Sequence, residues 1–253
     1  MTERRTHWTA ADLLDYEFPP PVWIVEKLLT AGLTVFAGAP KLGKSWLALA
    51  VCSAVSVGGC VLGKIAVPQH MVLYLALEDP GRRLQSRLRQ IGARRTREMV
   101  VFTEWSRGQD GIKKLREFLN TYRGTRLVVI DTWARFWRVT DGNDYNEVTR
   151  ATAEVKAVAD EYDVAIVLVH HTRKADVTDP IDSVLGSVGL AAVADTTWVL
   201  KRGRGKREAV LSVTGRDIVE DEYALRFAPE CGKRQFYPTR ERKAAFNWSG
   251  SRL

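Results

Sequence analysis

The sequence predicts an α/β fold of three layers, with a mainly parallel central sheet and antiparallel strands towards the C-terminus. From Leu33 onward, strand-like and helix-like segments alternate, which is typical of parallel strands joined by crossover helices. The segments at residues 72–76, 127–130 and 165–169 are apolar throughout, as strands covered on both faces must be. After about residue 195, three strand-like segments follow one another without a helix between them, so we expect them to extend the sheet in antiparallel fashion.

The first thirty residues are expected to form a lead-in to this fold. Thr9 is a suitable cap for a short helix that ends near Tyr16. The three prolines at 19–21 then favour an extended chain. Residues 22–29 are predicted to form a second short helix, closed by Gly32.

The remaining elements follow from hydrophobic periodicity. Parallel strands are predicted at residues 33–37, 71–76, 99–103, 126–130 and 164–169. Helices are predicted at 44–57, 80–91, 110–121 and 145–161, and antiparallel strands at 196–200, 209–213 and 223–227. Because no linker or repeat interrupts this pattern, we expect one core over residues 31–230, between a lead-in at 1–30 and a basic tail at 231–253.

Composition excludes several classes of protein. The chain has 253 residues, of which 45% are hydrophobic and 27% charged, as in ordinary globular proteins. No apolar run could span a bilayer, and the N-terminus lacks the apolar core of a signal peptide, so we expect a cytoplasmic protein without a membrane partner. Three cysteines are too few for a disulfide framework. The net charge of +8 fits a polyanion partner or a generic basic surface equally well.

The most informative motif follows the first predicted parallel strand. It reads G-x-x-x-x-G-K-S between a strand and a helix, which is the setting that a phosphate-binding loop requires. Loop N–H groups and the positive end of the helix dipole favour phosphate oxygens. The predicted nucleotide-binding residues are Gly38, Ala39, Pro40, Lys41, Leu42, Gly43, Lys44, Ser45 and Trp46. Lys44 supplies charge for the β- and γ-phosphates, and Ser45 supplies a hydroxyl for Mg²⁺.

Two acids follow the ends of other predicted strands. Asp131 comes directly after four apolar residues, an arrangement typical of a carboxylate that holds Mg²⁺, although it could instead cap the next segment. Glu78 could orient and deprotonate the attacking water, and Asp79 is then expected to cap the helix that begins at Pro80. The alternative is that both Glu78 and Asp79 serve only that helix end.

Two histidines end the strand predicted at 164–169. Because side chains alternate along a strand, only one of His170 and His171 can face the same edge as the phosphate loop. We favour His171 as the group that contacts the γ-phosphate, while a structural role for either histidine stays open.

Together these segments resemble the RecA-like ATPases of the plasmid RepA type, which are hexameric replicative DNA helicases, and their phage and bacterial relatives. The resemblance covers roughly residues 15–220 and is carried by the segments 38–45, 74–79, 129–132, 169–171, 186–187 and 194–195. It implies ATP and Mg²⁺ as ligands, with Lys44 and Ser45 binding ATP–Mg²⁺, Asp131 holding the metal, Glu78 as the base and a strand-end histidine as the sensor.

The resemblance also implies a homo-oligomer, a hexameric ring in which a basic residue of one subunit completes the site of its neighbour. Arg207 and Arg216 are the candidates for this finger, and we favour Arg216. Single-stranded DNA is the implied partner, contacted by the loop at 172–186 through Arg173 and Lys174.

A second candidate contact for DNA is the segment 133–138. Arg135 could pair with phosphates, and the aromatic residues Trp133, Phe136 and Trp137 could stack on bases. The alternative is that these aromatic side chains anchor the segment in the core or in a subunit interface. The basic segment 201–207 is either a solvated turn or a further phosphate contact.

The expected function is therefore an ATP-driven motor on single-stranded DNA, a ring-forming replicative helicase. Two alternatives stay open: a DNA-binding ATPase that does not unwind, such as a recombination or loading factor, and a nucleotide-gated regulatory interaction module.

Overall fold

A computed structural model describes residues 7–137, 145–172, 188–203, 208–228 and 235–238. Its strands are β1 Trp23–Val25, β2 Leu29–Thr30, β3 Gly32–Ala37, β4 Cys60–Val61, β5 Ile65–Ala66, β6 Met71–Ala76, β7 Met99–Phe102, β8 Thr125–Asp131, β9 Ala165–Val169, β10 Thr196–Arg202, β11 Glu208–Gly215, β12 Asp221–Ala228 and β13 Gln235–Pro238. Its helices are α1 Ala10–Asp15, α2 Lys44–Val55, α3 Gly81–Gln90, α4 Gly108–Thr121, α5 Trp133–Phe136, α6 Tyr145–Tyr162 and α7 Val188–Val193.

One nine-stranded sheet organises the molecule. Its strand order is β13-β12-β11-β10-β3-β9-β8-β6-β7. The strands from β10 to β7 in this order are parallel, and β11, β12 and β13 extend the sheet in antiparallel fashion. The predicted fold class is confirmed, and each predicted strand lies within two residues of its observed ends.

Two apolar cores cover the two faces of the sheet. Because side chains alternate along a strand, Tyr74 and Val129 point into the core beneath α2 and α3, whereas Leu73 and Val128 point into the core beneath α4 and α6. These four side chains are almost fully buried. Burial on both faces explains why the sequence of these strands is continuously apolar rather than alternating.

The prediction of a second short helix at 22–29 is wrong. β1 and β2 form an antiparallel hairpin there, and Lys27 adopts a left-handed conformation in the turn with φ of 58°. Aromatic and β-branched residues in β1 favour this extended form. The Trp198 indole N–H also donates to the Leu28 carbonyl oxygen at 3.0 Å, so contact with β10 fixes the hairpin. The short hairpin of β4 and β5 was not predicted either.

The N-terminal helix is as predicted. Thr9 and Asp12 form a reciprocal capping box, in which the Asp12 backbone N–H donates to the Thr9 hydroxyl at 3.1 Å. α1 ends at Asp15, one residue before Tyr16. Across the described part of the chain, no helix has the length and apolar character that crossing a membrane would require.

Candidate active site

The carboxyl ends of four adjacent parallel strands meet at one edge of the sheet. β3 leads there into the phosphate loop, β6 into Glu78, β8 ends at Asp131, and β9 leads into the two histidines. Backbone hydrogen bonds join these ends: the Leu77 N–H donates to the Asp131 carbonyl at 2.7 Å, and the Thr172 N–H to the Gly38 carbonyl at 3.2 Å. Ligands of open α/β sheets bind at this edge.

The phosphate loop has the backbone form that its glycines permit. Gly43 has φ of 107°, and Lys41 also has a positive φ of 65°. At Gly38 a Cβ atom would lie 2.7 Å from the Leu200 carbonyl oxygen, so a larger residue would displace β10. α2 then begins at Lys44 without a side-chain cap, and its first N–H groups have no acceptor within the helix. This arrangement suits an anion.

Lys44 is buried at the centre of the site. Only 3% of the residue is exposed. Its ammonium group donates to the carbonyl oxygens of Gly38 at 2.5 Å and Ala39 at 2.9 Å. Burial lowers the pKa of Lys44 to about 8, although the nearby carboxylates of Asp131 and Glu78 act in the opposite direction. A desolvated ammonium beside helix N–H groups fits the phosphates of a nucleotide.

Asp131 lies next to this lysine and is also buried. The Tyr74 hydroxyl donates to the Asp131 carboxylate at 2.7 Å, and the Ser45 side chain forms a second hydrogen bond to it. Burial raises the pKa of Asp131 above its ordinary value, and the two hydrogen bonds only partly oppose that effect. Lys44 interacts electrostatically with this carboxylate, and a divalent cation would supply further compensating positive charge.

Asp131 and Ser45 are oxygen donors of the kind that Mg²⁺ prefers. In the described ranges, no three His, Cys, Asp or Glu side chains lie close enough to hold a metal by themselves. This donor set fits a Mg²⁺ ion that takes its remaining ligands from nucleotide phosphates and water.

Glu78 is held by the segment that follows Asp131. The buried Thr132 hydroxyl donates to one carboxylate oxygen of Glu78 at 2.8 Å. The Arg135 guanidinium lies 3.9 Å from the same oxygen. The Glu78 side chain is 39% exposed, so water can reach a carboxylate whose orientation is fixed by its neighbours.

His171 connects Lys44 with Glu78. Its Nδ1 lies 3.0 Å from the Lys44 ammonium, and its Nε2 lies 3.7 Å from the second carboxylate oxygen of Glu78. Because an ammonium group can only donate, Nδ1 is the acceptor, and the ring proton of a neutral imidazole is then on Nε2, facing Glu78. In contrast, burial lowers the pKa of His170 to about 4, and its electrostatic interactions with His171 and Lys44 act in the same direction.

The predicted capping role of Asp79 is wrong. α3 follows Pro80 without a side-chain cap. Asp79 instead pairs with Arg83 at 2.8 Å and with Arg87, whose guanidinium also lies over the Trp46 ring at 5.3 Å. The first turn of α2 is thereby tied to α3 beside the phosphate loop. The two arginines lie one and two turns along α3. Their charge-assisted hydrogen bonds to the Asp79 carboxylate are stronger than a hydrogen bond to a backbone N–H at the start of the helix.

The aromatic side chains after β8 belong to the core. Trp133 and Phe136 are almost fully buried, and Trp137 packs on the Trp133 ring with the ring centroids 5.9 Å apart. They anchor α5, which rules out base stacking by Trp133 and Phe136 in this arrangement. Arg135 remains exposed on α5 beside Glu78.

Arg216 lies at the opposite edge of the sheet from the phosphate loop. Its neighbour Gly215 pairs with Thr196 at the start of β10. The Arg216 guanidinium lies 3.4 Å from the Asp195 carboxylate, which also accepts a hydrogen bond from Lys156 at 2.7 Å. Arg216 could therefore reach a phosphate loop only in another subunit. The other predicted basic contacts, Arg173, Lys174 and Arg207, lie outside the described residues.

Sequence reasoning missed two residues of this site. Tyr74 lies within a strand whose apolar sequence predicts only a core position, but its hydroxyl donates a hydrogen bond to Asp131. Thr132 follows Asp131 directly and holds Glu78. A signal for Tyr74 existed, because a buried tyrosine needs a partner for its hydroxyl. For Thr132, only the parallel pairing of β6 with β8 indicates that Glu78 is near.

Comparison with solved structures supports the same fold. The chain is similar to the ATPase domain of G40P, with 17% sequence identity and a TM-score of 0.64 over 83% of this chain and 85% of that one. It is similar to a DnaB-like replicative helicase, solved in a study of its interactions with primase, at the same identity and TM-score, over 83% of this chain and 58% of that one. At such identity the likeness establishes a shared fold, the RecA-like α/β sandwich.

A family model described as an AAA domain matches residues 1–177, well over half of the sequence. The chain therefore belongs to the AAA domain family.

Proposed function

We propose that the protein is an ATP-hydrolysing motor acting on single-stranded DNA, a replicative DNA helicase that works as a hexameric ring. The observation that carries the proposal is the continuous set of contacts from Lys44 through His171 to Glu78 and Thr132, beside Asp131. Hydrolysis of a phosphoanhydride requires a group that binds phosphate and a carboxylate that water can reach. Lys44 and Glu78 supply these two groups, and His171 lies between them.

In this proposal the loop N–H groups and Lys44 hold the β- and γ-phosphates of ATP. Ser45 and Asp131 would hold Mg²⁺, which would neutralise charge on the phosphates. Thr132 fixes one oxygen of Glu78, and the other, 3.7 Å from His171 Nε2, can accept a proton from water. When phosphate binds, the Lys44 ammonium exchanges its hydrogen bonds to the Gly38 and Ala39 carbonyl oxygens for bonds to phosphate oxygens. Because His171 contacts the same ammonium, it responds to the presence of the γ-phosphate.

The nucleic-acid part of the proposal is supported by the fold shared with helicase ATPase domains and by the net charge of +8. We propose that Arg173 and Lys174, which follow the sensor strand, and Arg135 contact the strand. Arg216 of one subunit is proposed to reach the phosphates bound by its neighbour, which is why a ring is needed for turnover.

A strand-displacement assay with ATP tests the proposal. The wild-type protein is expected to hydrolyse ATP faster when single-stranded DNA is added and to separate a forked duplex. The matched control Lys44→Ala is expected to do neither, because it lacks the buried ammonium. Hydrolysis that DNA stimulates without displacement would support a non-unwinding ATPase, and hydrolysis indifferent to DNA would support a nucleotide-gated interaction module. Either result contradicts the motor.

A further inference from the structure

A group of seven arginines lies in α3 and the loop that follows it, outside the site described above. The group comprises Arg82, Arg83, Arg87, Arg89, Arg94, Arg95 and Arg97. No lysine and no acid occurs between residues 82 and 97. Because the whole chain has a net charge of +8, these residues hold nearly all of its excess positive charge, and the remainder is close to neutral.

Five of these arginines are exposed and have no carboxylate partner among the residues that the structure describes. Arg83 and Arg87 pair with Asp79. Among the described residues, none of the other five guanidinium groups takes part in a salt bridge. Elsewhere in the described ranges, Arg116, Arg126 and Arg216 each pair with an acid. The unpaired five are Arg82, Arg89, Arg94, Arg95 and Arg97, here called the arginine edge.

The arginine edge follows one side of the molecule. Leu84 and Ile91 of α3 and its C-cap are buried in the core, which leaves Arg82 and Arg89 on the outer face. These two are seven residues apart, which on a helix is about 10 Å along the axis. α3 starts beside Glu78, and the loop then returns to β7, the last strand of the sheet on this side. The positive charge thus follows the side of the sheet that ends in β7. It extends from the carboxyl ends of the parallel strands, where Glu78 lies, towards their amino ends.

We propose that the arginine edge is a second nucleic-acid site, which binds the phosphate backbone without reading sequence. Guanidinium groups pair with phosphate through two parallel hydrogen bonds, and a segment whose only charged residues are arginines favours an extended polyanion over a single small anion. The inference rests on the proposed function only for the class of ligand. The arginine edge is separate from the DNA contacts of the proposed function. It follows β6, whereas Arg135 follows β8, and Arg173 and Lys174 follow β9 in the sequence.

Salt dependence of DNA binding tests this site. Binding of a labelled single strand and of a labelled duplex is measured at several salt concentrations without nucleotide. Arg82→Gln/Arg89→Gln and, separately, Arg94→Gln/Arg95→Gln are compared with wild type. The matched control is Lys113→Gln/Arg123→Gln, which removes the same charge from exposed positions at and after α4. Arg82→Lys/Arg89→Lys keeps the charge.

Each arginine-edge variant is expected to bind more weakly and to reduce the slope of log K against log salt by about 1.4 on a single strand, since each phosphate contact contributes about 0.7. The lysine variant is expected to keep the slope, and the control to behave as wild type. A larger effect on the duplex would identify double-stranded DNA as the preferred ligand of the same surface. Slopes equal to the control in both glutamine variants would overturn the proposal.

ATP hydrolysis without DNA separates this proposal from the proposed function. The arginine-edge variants are expected to hydrolyse ATP as wild type does, because in the described part of the chain none of these side chains forms a hydrogen bond or salt bridge with the phosphate loop, Glu78 or Asp131. Unchanged slopes with DNA-stimulated hydrolysis would remove the second site and leave the motor in place. Reduced slopes in a protein that does not unwind DNA would retain the second site and remove the motor.

Discussion

ATP binding should weaken as pH rises through the pKa of Lys44. The charged ammonium is the form that binds phosphate, and burial lowers its pKa to about 8. At about pH 7 roughly nine-tenths of the lysine is charged, whereas at about pH 9 only about one-tenth is. If binding requires the charged form, the apparent dissociation constant rises about tenfold over this range, and binding at the higher pH takes up about one proton.

Titration of a fluorescent ATP analogue at constant ionic strength measures this shift, and calorimetry in two buffers measures the proton uptake. Lys44→Arg is the matched control, because a guanidinium stays charged throughout this range. It is expected to bind less tightly at neutral pH but with little dependence on pH. A wild-type dissociation constant that stays level over this range, or a Lys44→Arg variant with the wild-type slope, would refute the reasoning.

Three further substitutions test the contacts around the site. Thr132→Val removes the donor to Glu78 and should lower kcat for ATP hydrolysis by about tenfold or more, with little change in nucleotide affinity. The control Thr132→Ser keeps the hydroxyl and should keep the activity. Equal rates in the two variants would contradict this role. Tyr74→Phe removes a hydrogen bond that lowers the pKa of Asp131. Because the ionised carboxylate is the useful form, activity should be lost at a higher pH on acidification, and an unmoved acid limb in the pH profile would speak against it. Trp198→Phe leaves a main-chain carbonyl of the β1–β2 turn without its donor and should lower the free energy of unfolding by about 1–3 kcal/mol in urea denaturation.

The parallel part of the fold was predictable because its signals agree with one another. Strands buried on both faces are continuously apolar, and the helices between them are long enough to show periodicity. The hairpin at 22–30 was not predictable from local sequence, since its form depends on the contact between Trp198 and the Leu28 carbonyl. The two short strands β4 and β5 carry too few residues for a pattern.

Strand-end positions made much of the candidate site accessible to sequence reasoning. Gly38–Ser45, Glu78, Asp131 and His171 all come at the carboxyl ends of predicted parallel strands, and such ends meet at one edge. What the sequence could not supply is the pairing of side chains across that edge. The partner of Asp79 was missed because its arginines lie one and two turns along α3, and a local cap was the simpler interpretation.

Single-turnover hydrolysis of ATP by Glu78→Gln tests most directly whether this edge of the sheet is a hydrolytic site with Glu78 as its base. The amide keeps the shape of the side chain and its acceptor for Thr132, so nucleotide affinity should match wild type. Without a carboxylate to accept the proton from water, the rate should fall by about 10²- to 10⁴-fold. A rate equal to wild type at full nucleotide occupancy would contradict the account.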